Sequence, residues 1–214
     1  MSVSPVEFAS LLCSRLCHDL LSPVGALNNG LELLADETDP AMRARCLELL
    51  SDSARASANK LKFFRLAFGA AGGFGEQVDP REAQGALAGL FGDNHRVTLN
   101  WLVDEPALPK GAVKVLLNLA MIAGDALVRG GTLDIGAEAV DDRVEIVLRG
   151  EGPRIVLDDE LRGALTGSAA SGPVTPRAAA AHLARALVVE GGGSLQISGP
   201  DAPALMFGAV MAAS

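Results

Sequence analysis

The chain has little aromatic character and no long apolar run. It contains no tyrosine and one tryptophan among 214 residues, although 49% of its residues are apolar. That apolar fraction is too high for a disordered chain, so we expect a packed core. No run reaches the length of a membrane span, and the first residues lack the basic and apolar regions of a signal peptide. We therefore expect a cytoplasmic protein with no membrane partner.

Clustered positive charge is also missing. The formal net charge is −8, and basic residues are interspersed with acids, which argues against a nucleic-acid partner. The three cysteines cannot all pair, which favours reduced thiols. Cys13, Cys17 and His18 raise the alternative of a metal site, but Cys17 and His18 project about 100° apart on a helix. No second ligand pair follows, so we expect no metal and no resident cofactor.

The first 70 residues predict two long helices joined by a turn. Ser4, Pro5 and Glu7 have the pattern of a capped helix start, and Asp39 with Pro40 repeats it for the second helix. Glycines within residues 69–75 end that helix. The apolar stripe of the first helix follows helical spacing. It consists of Phe8, Leu12, Leu16, Leu20, Val24, Leu27, Leu31 and Leu34.

A hairpin of this kind has one broad apolar face that it cannot bury by itself. Two copies packed side by side would form a four-helix bundle, so residues 1–70 predict a dimerisation domain and the chain a homodimer. The alternative is that the hairpin packs on the C-terminal half of its own chain.

From residue 76 onward the pattern changes to a mixture of helices and strands. Helices are expected over 79–91, 110–128 and 175–190, with a loop of small residues over 163–172. Strands are expected over 95–103, 132–137, 143–148, 194–198 and 205–211, with a hairpin turn at Asp141 and Asp142. The predicted fold class is α+β, with residues 76–214 as a second domain.

His18 is the residue of the first helix best suited to chemistry. A neutral imidazole is nucleophilic through nitrogen and can carry a phosphoryl group reversibly. His18 lies about 200° around the helix from Leu16 and Leu20, so it points away from the apolar stripe. His95 lies in a predicted solvated turn over 93–96, and His182 lies in an alanine-rich helix without acids nearby in the sequence. Neither has a set of functional groups around it, so we expect structural roles for both.

The helix surface around His18 is predicted to admit a partner. Its candidate docking residues are Leu11, Ser14, Arg15, Leu21, Gly25 and Asn29. Gly25 costs a helix about 1 kcal/mol relative to alanine. Pro23 removes one intrahelical hydrogen bond and bends the axis. Next to an exposed histidine, these two residues indicate clearance and a local kink rather than helix stability.

Two neighbours of His18 are candidates for assisting it. Asp19 either orients or polarises the imidazole or forms an ion pair with Arg15 four residues earlier, and both roles are compatible. Ser22 either positions a water molecule for dephosphorylation or bonds to the helix backbone ahead of Pro23. The backbone role is favoured for Ser22.

The segment His18–Val24 resembles the H-box of sensor histidine kinases. That motif consists of a histidine, an acid, a leucine and a variable residue. They are followed by one residue that is Thr, Asn or Ser, and then by proline and an apolar residue. Leu21 departs from it, because kinases commonly place a basic residue there. The resemblance covers nearly the whole chain. It implies a helical hairpin followed by a GHKL or Bergerat-type α/β sandwich, the ATP-binding domain of these kinases.

The same resemblance implies that the nucleotide site is degenerate. Ile122 occupies the place of an N-box asparagine that coordinates magnesium, and its side chain cannot ligate a hard cation. Leu148 stands where the kinases have the aspartate that reads adenine. Ala178–Ala181 replace the glycine-rich start of the last helix, where each added Cβ obstructs approach to phosphates. We therefore predict that the domain does not bind ATP.

A dimeric H-box hairpin with an ATP-deficient kinase-like domain is similar to the ChpT-type histidine phosphotransferases. The resemblance implies that His18 accepts a phosphoryl group from a receiver-domain aspartate of a hybrid histidine kinase and passes it to a response-regulator aspartate. It further implies a CckA-like donor and CtrA- or CpdR-like recipients. Magnesium would belong to the receiver domain, so this chain would need no cofactor. The alternatives are a non-catalytic adaptor that sequesters a receiver domain and a divergent histidine kinase that uses ATP.

Overall fold

The computed structural model describes residues 4–69, 76–92, 96–168 and 174–213. His95, residues 70–75 of the glycine-rich segment and residues 169–172 of the predicted loop lie outside these ranges. The helices are α1 (Pro5–Asp36), α2 (Pro40–Phe68), α3 (Pro80–Phe91), α4 (Lys110–Ala126), α5 (Asp159–Thr166) and α6 (Ala179–Glu190). The strands are β1 (Gln77–Val78), β2 (Val97–Trp101), β3 (Leu108–Pro109), β4 (Gly131–Val140), β5 (Arg143–Glu151), β6 (Ser194–Ile197) and β7 (Leu205–Ala212).

The two long helices form the predicted antiparallel hairpin. The Ser4 hydroxyl accepts a hydrogen bond from the Glu7 amide at 3.2 Å, and the Asp39 carboxylate accepts one from the Met42 amide at 2.9 Å. These side chains satisfy amides that have no partner inside the helix, and both caps are confirmed. α1 continues through Pro23 without ending.

The second part of the chain is built on a five-stranded sheet of order β2-β4-β5-β7-β6. β2 and β4 are parallel, and the other neighbouring pairs are antiparallel. β4 and β5 join in the expected hairpin, where Asp141 takes a positive φ of 56°. Since only one sheet face is covered by helices, β5 alternates buried and exposed residues along its length. The α+β fold class is therefore confirmed.

The core lies between the sheet and the helices, and α4 runs through it. Most of α4 is buried, which explains its nearly continuous apolar sequence. The loop predicted over 163–172 is wrong at its start, because residues 163–166 belong to the helix α5. Asp158 caps it by accepting from the Leu161 amide at 2.8 Å, and Leu165 is fully buried. Burial thus outweighs the weak helix propensity of this small-residue segment.

The hairpin is anchored on the second domain at one end. Phe63 and Phe64 near the end of α2 are buried in the common core, and Leu16 and Leu20 of α1 pack against it. Over part of its length, the apolar face of the hairpin therefore packs on the C-terminal half of its own chain, which was the alternative to dimerisation. Further along α1, Val24 and Leu31 of the same stripe stay exposed. Among the described residues, no helix has the length and apolarity needed to cross a bilayer.

Candidate functional site

His18 lies on the exposed side of α1, level with the junction between the hairpin and the second domain. Its side chain is 85% exposed, as its position opposite the apolar stripe indicates. Its Nδ1 is 3.0 Å from Oδ1 of Asp19. An ionised carboxylate only accepts hydrogen bonds, so this contact favours the tautomer with the proton on Nδ1. In that tautomer Nε2 carries the lone pair.

Asp19 is held on several sides while it contacts His18. Its Oδ2 accepts from Nε of Arg15 at 2.6 Å, and its main-chain oxygen accepts from Nζ of Lys60 at 2.7 Å. The Asp19 side chain is only 17% exposed. The contact with the imidazole and the ion pair with Arg15 are therefore both present, one on each carboxylate oxygen.

Arg15 lies beneath this surface rather than on it. Its side chain is 15% exposed, and its Nη2 reaches Oδ2 of Asp125 on α4 at 3.3 Å. Burial alone would lower the Arg15 pKa, but the hydrogen bond and charge of Asp19, together with Asp125, raise it. The guanidinium of Arg15 is therefore engaged within the chain, and the docking role expected for Arg15 stays a prediction.

The other predicted docking residues lie along the same side of α1. Ser14, Leu21, Ser22 and Asn29 are exposed, while Leu11 and Gly25 are half-buried. Leu21 is 69% exposed, which makes it available to a partner, although single exposed leucines are ordinary on protein surfaces. A Cβ on Gly25 would meet nothing within 4 Å, so the space in front of it is open.

Two residues of the site were missed by the sequence analysis. Lys60 and Asp125 lie 41 and 110 positions from their partners on α1. The hairpin register contains a signal for Lys60, because a turn near residue 38 places it opposite Asp19. No local pattern indicates Asp125, since its contact depends on how the second domain sits against the hairpin.

The positions that the resemblance assigns to the kinase nucleotide site are occupied by apolar side chains. Ile122 on α4 and Leu148 on β5 are buried in the core, and Ala178–Ala181 are almost completely buried. Asn118, one turn before Ile122, is also buried and donates to the main-chain oxygens of Ala67 and Lys114. Its amide is therefore used to tie the end of α2 to α4.

His182 does not contribute to the site around His18. It is half-buried on α6, and burial lowers its pKa, an effect that nearby Glu160 opposes. A histidine kept neutral by packing fits the structural role expected for it.

Comparison with known proteins identifies the family. The model of the histidine phosphotransferase C-terminal domain matches residues 80–203. Protein phosphotransferase ChpT of Brucella abortus (strain 2308) is 35% identical over 201 residues, which cover 92% of each chain. The chain belongs to the ChpT-type histidine phosphotransferases. Such a histidine phosphotransferase acts in a phosphorelay, whose partners are receiver domains and response regulators.

A solved phosphotransferase structure agrees with this assignment. A bacterial phosphotransferase determined at 1.7 Å superposes with a TM-score of 0.85 and 32% identity, over 98% of each chain. The histidine kinase AdeS of Acinetobacter baumannii superposes with a TM-score of 0.49 and 17% identity, over 92% of this chain and 98% of that one.

Proposed function

We propose that His18 is the phosphoryl carrier of this phosphotransferase. The observation that carries the proposal is an exposed imidazole whose Nδ1 is engaged by Asp19, which leaves Nε2 as the nucleophile. Nε2 attacks the phosphorus of a receiver's aspartyl phosphate in line, so an N–P bond forms while the acyl P–O bond breaks and the carboxylate leaves. The second transfer reverses these bonds on the aspartate of a response regulator.

Asp19 assists through the ring rather than by contact with the phosphoryl group. A carboxylate on Nδ1–H holds the imidazole in one orientation and stabilises the positive charge that develops when Nε2 attacks. Ser22 is exposed one turn from His18, and positioning a water molecule for dephosphorylation remains a proposal for it.

The surface that receives the partner is the exposed side of α1 around His18. Leu21 supplies an apolar contact, and the open space at Gly25 lets a receiver approach the helix closely. Ser14, Ser22 and Asn29 form a polar margin. This arrangement suits the flat active-site face of a receiver domain, first that of a hybrid histidine kinase and then that of a response regulator.

The transfer is proposed to proceed without ATP and without a cofactor held by this chain. The buried Ile122 and Leu148 offer no oxygen to magnesium or hydrogen bond to adenine, which supports the proposal. Such apolar positions do not fit a magnesium nucleotide. The magnesium ion that stabilises the transferring phosphoryl group would come with the receiver domain.

The active species is proposed to be a homodimer. Val24 and Leu31 belong to the apolar stripe of α1 and remain exposed in one chain. Packing two hairpins into a four-helix bundle would cover them, while His18 on the opposite side of α1 would remain accessible.

The carrier role is tested by transfer from a phosphorylated receiver domain. Incubation with the wild-type protein should move the label to this chain, and the label should be acid-labile, as a phosphoramidate is. The His18→Ala variant should acquire no label, whereas His182→Ala should be labelled like the wild type. Absence of transfer from every receiver tried, or labelling of His18→Ala, would contradict the proposal.

Two further measurements separate the alternatives. Calorimetric titration with magnesium and ATP should give no heat of binding, and measurable binding would favour a divergent kinase. An adaptor that only sequesters a receiver should keep its cellular activity in the His18→Ala variant. Loss of that activity with retained receiver binding would favour the carrier.

A further inference from the structure

Arg15 connects the helix that carries His18 to the end of α4 in the second domain. Its Nε donates to Oδ2 of Asp19 at 2.6 Å, and its Nη2 donates to Oδ2 of Asp125 at 3.3 Å. A guanidinium is a planar fork, so it can hold two carboxylates at fixed relative positions. A single Arg15 side chain therefore links the two domains directly beneath the histidine.

On the α1 side the link is more enclosed than an ordinary surface ion pair, while the Asp125 side chain is 50% exposed. The Arg15 and Asp19 side chains are 15% and 17% exposed, whereas exposed pairs are mobile and contribute little. Lys60 adds a third contact from α2 by donating to the main-chain oxygen of Asp19. Both oxygens of the Asp19 carboxylate are occupied, Oδ1 by His18 and Oδ2 by Arg15.

We propose that Arg15 and Asp125 are positioning residues for phosphoryl transfer, through which the second domain fixes the Asp19 carboxylate against Nδ1 of His18. This inference rests on the proposed role of His18 as carrier. It gives the kinase-like domain a function in the transfer step that does not involve a nucleotide. Without Asp125, the guanidinium of Arg15 would lose its second anchor, and the direction of the Asp19 carboxylate would no longer be fixed.

The surroundings of Asp125 fit this role. Burial raises its pKa and the charge of Asp19 adds to that effect, while Arg15 and Arg177 oppose it. The carboxylate is thus placed among charges contributed by α1 and by the turn that precedes α6. The Asp125 side chain is half exposed, and its ion pair with Arg15 opposes the effect of burial on its pKa.

The first test measures single-turnover transfer from a phosphorylated receiver over a range of receiver concentrations. The full-length Asp125→Asn and Arg15→Lys variants are compared with the wild type. Lysine keeps the charge of Arg15 but lacks the planar fork, and asparagine removes the charge that anchors the fork. Because each change leaves the Asp19 carboxylate misplaced, both variants should lower the rate at saturating receiver by about tenfold. The receiver concentration that gives half the maximal rate should stay unchanged.

Matched variants separate positioning from charge and from folding. Asp125→Glu keeps a carboxylate and should restore the rate. Glu151→Gln removes an acid that is also 50% exposed and paired with an arginine, but on the sheet, and should transfer like the wild type. The double variant Arg15→Lys with Asp125→Asn should be no slower than Arg15→Lys alone, because both changes break the same link.

The second test needs no receiver and therefore separates this inference from the proposed function. Nitrogen-15 NMR of the His18 side chain should show the proton on Nδ1 in the wild type and a shift towards Nε2–H in Asp125→Asn. An unchanged tautomer, or an unchanged saturating rate, overturns the positioning role. A lowered affinity for the receiver with a normal saturating rate overturns it too, because Asp125 would then be a docking residue. Failure of the wild type to transfer at all would instead contradict the carrier role.

Discussion

At the scale of single residues, Asp19 links an exposed histidine to α2 through its main-chain oxygen and, by way of Arg15, to α4. Its carboxylate contacts His18 and Arg15, and its main-chain oxygen accepts from Lys60, so Asp19 has little freedom although it lies beside an exposed imidazole. An imidazole that must contact a partner has to leave its reactive nitrogen exposed. Its orientation is therefore fixed by contacts to the other ring nitrogen, on the side that faces the protein. The enclosed Asp19 provides that support.

Asp125 predicts a specific dependence of stability on pH. Burial raises its pKa above the ordinary value of 3.8, with Asp19 adding to the effect and Arg15 and Arg177 opposing it. The native state then binds more protons than the unfolded state between 3.8 and the raised value. The stability of the wild type relative to Asp125→Asn should therefore fall as the pH rises through this window and stay constant above it.

Urea denaturation of both proteins at a series of pH values measures this difference. A stability difference that is independent of pH, or that rises with pH over the same window, would contradict the raised pKa of Asp125.

Replacing Gly25 by alanine should change the stability of the protein and its binding of a receiver in opposite directions. A Cβ at this position meets nothing within 4 Å, so Gly25→Ala should raise the free energy of unfolding by about 1 kcal/mol through helix propensity. If a receiver uses the open space, the added methyl group should weaken its binding. Thermal denaturation and a receiver titration of the same variant measure the two effects. Tighter receiver binding by Gly25→Ala would argue against docking at this position.

At the scale of elements, the hairpin is held in two different ways along its length. Gly30 in α1 is buried, and a Cβ there would lie 3.0 Å from the Leu50 side chain, so the helices approach closely at this level. Near the second domain, Phe63 is completely buried and its ring lies edge-on to Phe64 at a centroid distance of 5.7 Å. The end that carries His18 is thus the end fixed in the core.

Phe63→Ala should test this anchor. Removing a fully buried aromatic ring leaves a cavity, so we expect the free energy of unfolding to fall by about 3–5 kcal/mol. Lys62→Ala changes the exposed neighbour on the same helix and should alter stability by less than about 0.5 kcal/mol. Chemical denaturation of both variants provides the comparison. Equal, small effects would mean that the hairpin is not fixed through this contact.

At the scale of the whole molecule, apolar residues on the free part of the hairpin predict self-association. Leu31 is more than half exposed in one chain and lies on the stripe assigned to the dimer. Leu31→Glu should therefore convert a dimer to a monomer, as measured by light scattering during size-exclusion chromatography. Leu102→Glu replaces a leucine that is 66% exposed, against 57% for Leu31, beyond the end of β2 and should leave the dimer intact. A wild-type monomer, or a dimer that survives Leu31→Glu, would contradict the proposed bundle.

The sequence by itself determined the two long helices of the hairpin, their caps and the exposure of His18. Each depends on residues a few positions apart: Ser4 and Asp39 cap the helices beside them, and the spacing of Leu16 and Leu20 sets the side on which His18 lies. Local hydrogen bonds and a period of about 3.6 residues are visible in any window of the chain. The contact between His18 and Asp19 could be predicted for the same reason, because the two residues are adjacent in the sequence.

Only the tertiary structure decided what lies behind the histidine. Asp125 reaches Arg15 across 110 positions, and that contact exists because Phe63 and its neighbours dock α2 against α4 in the core. Arg15 thereby connects the helix of His18 to α4, a contact that the sequence analysis did not predict. Burial and charge pairing between distant segments follow from the packing of whole elements, and no local pattern in the sequence encodes that packing.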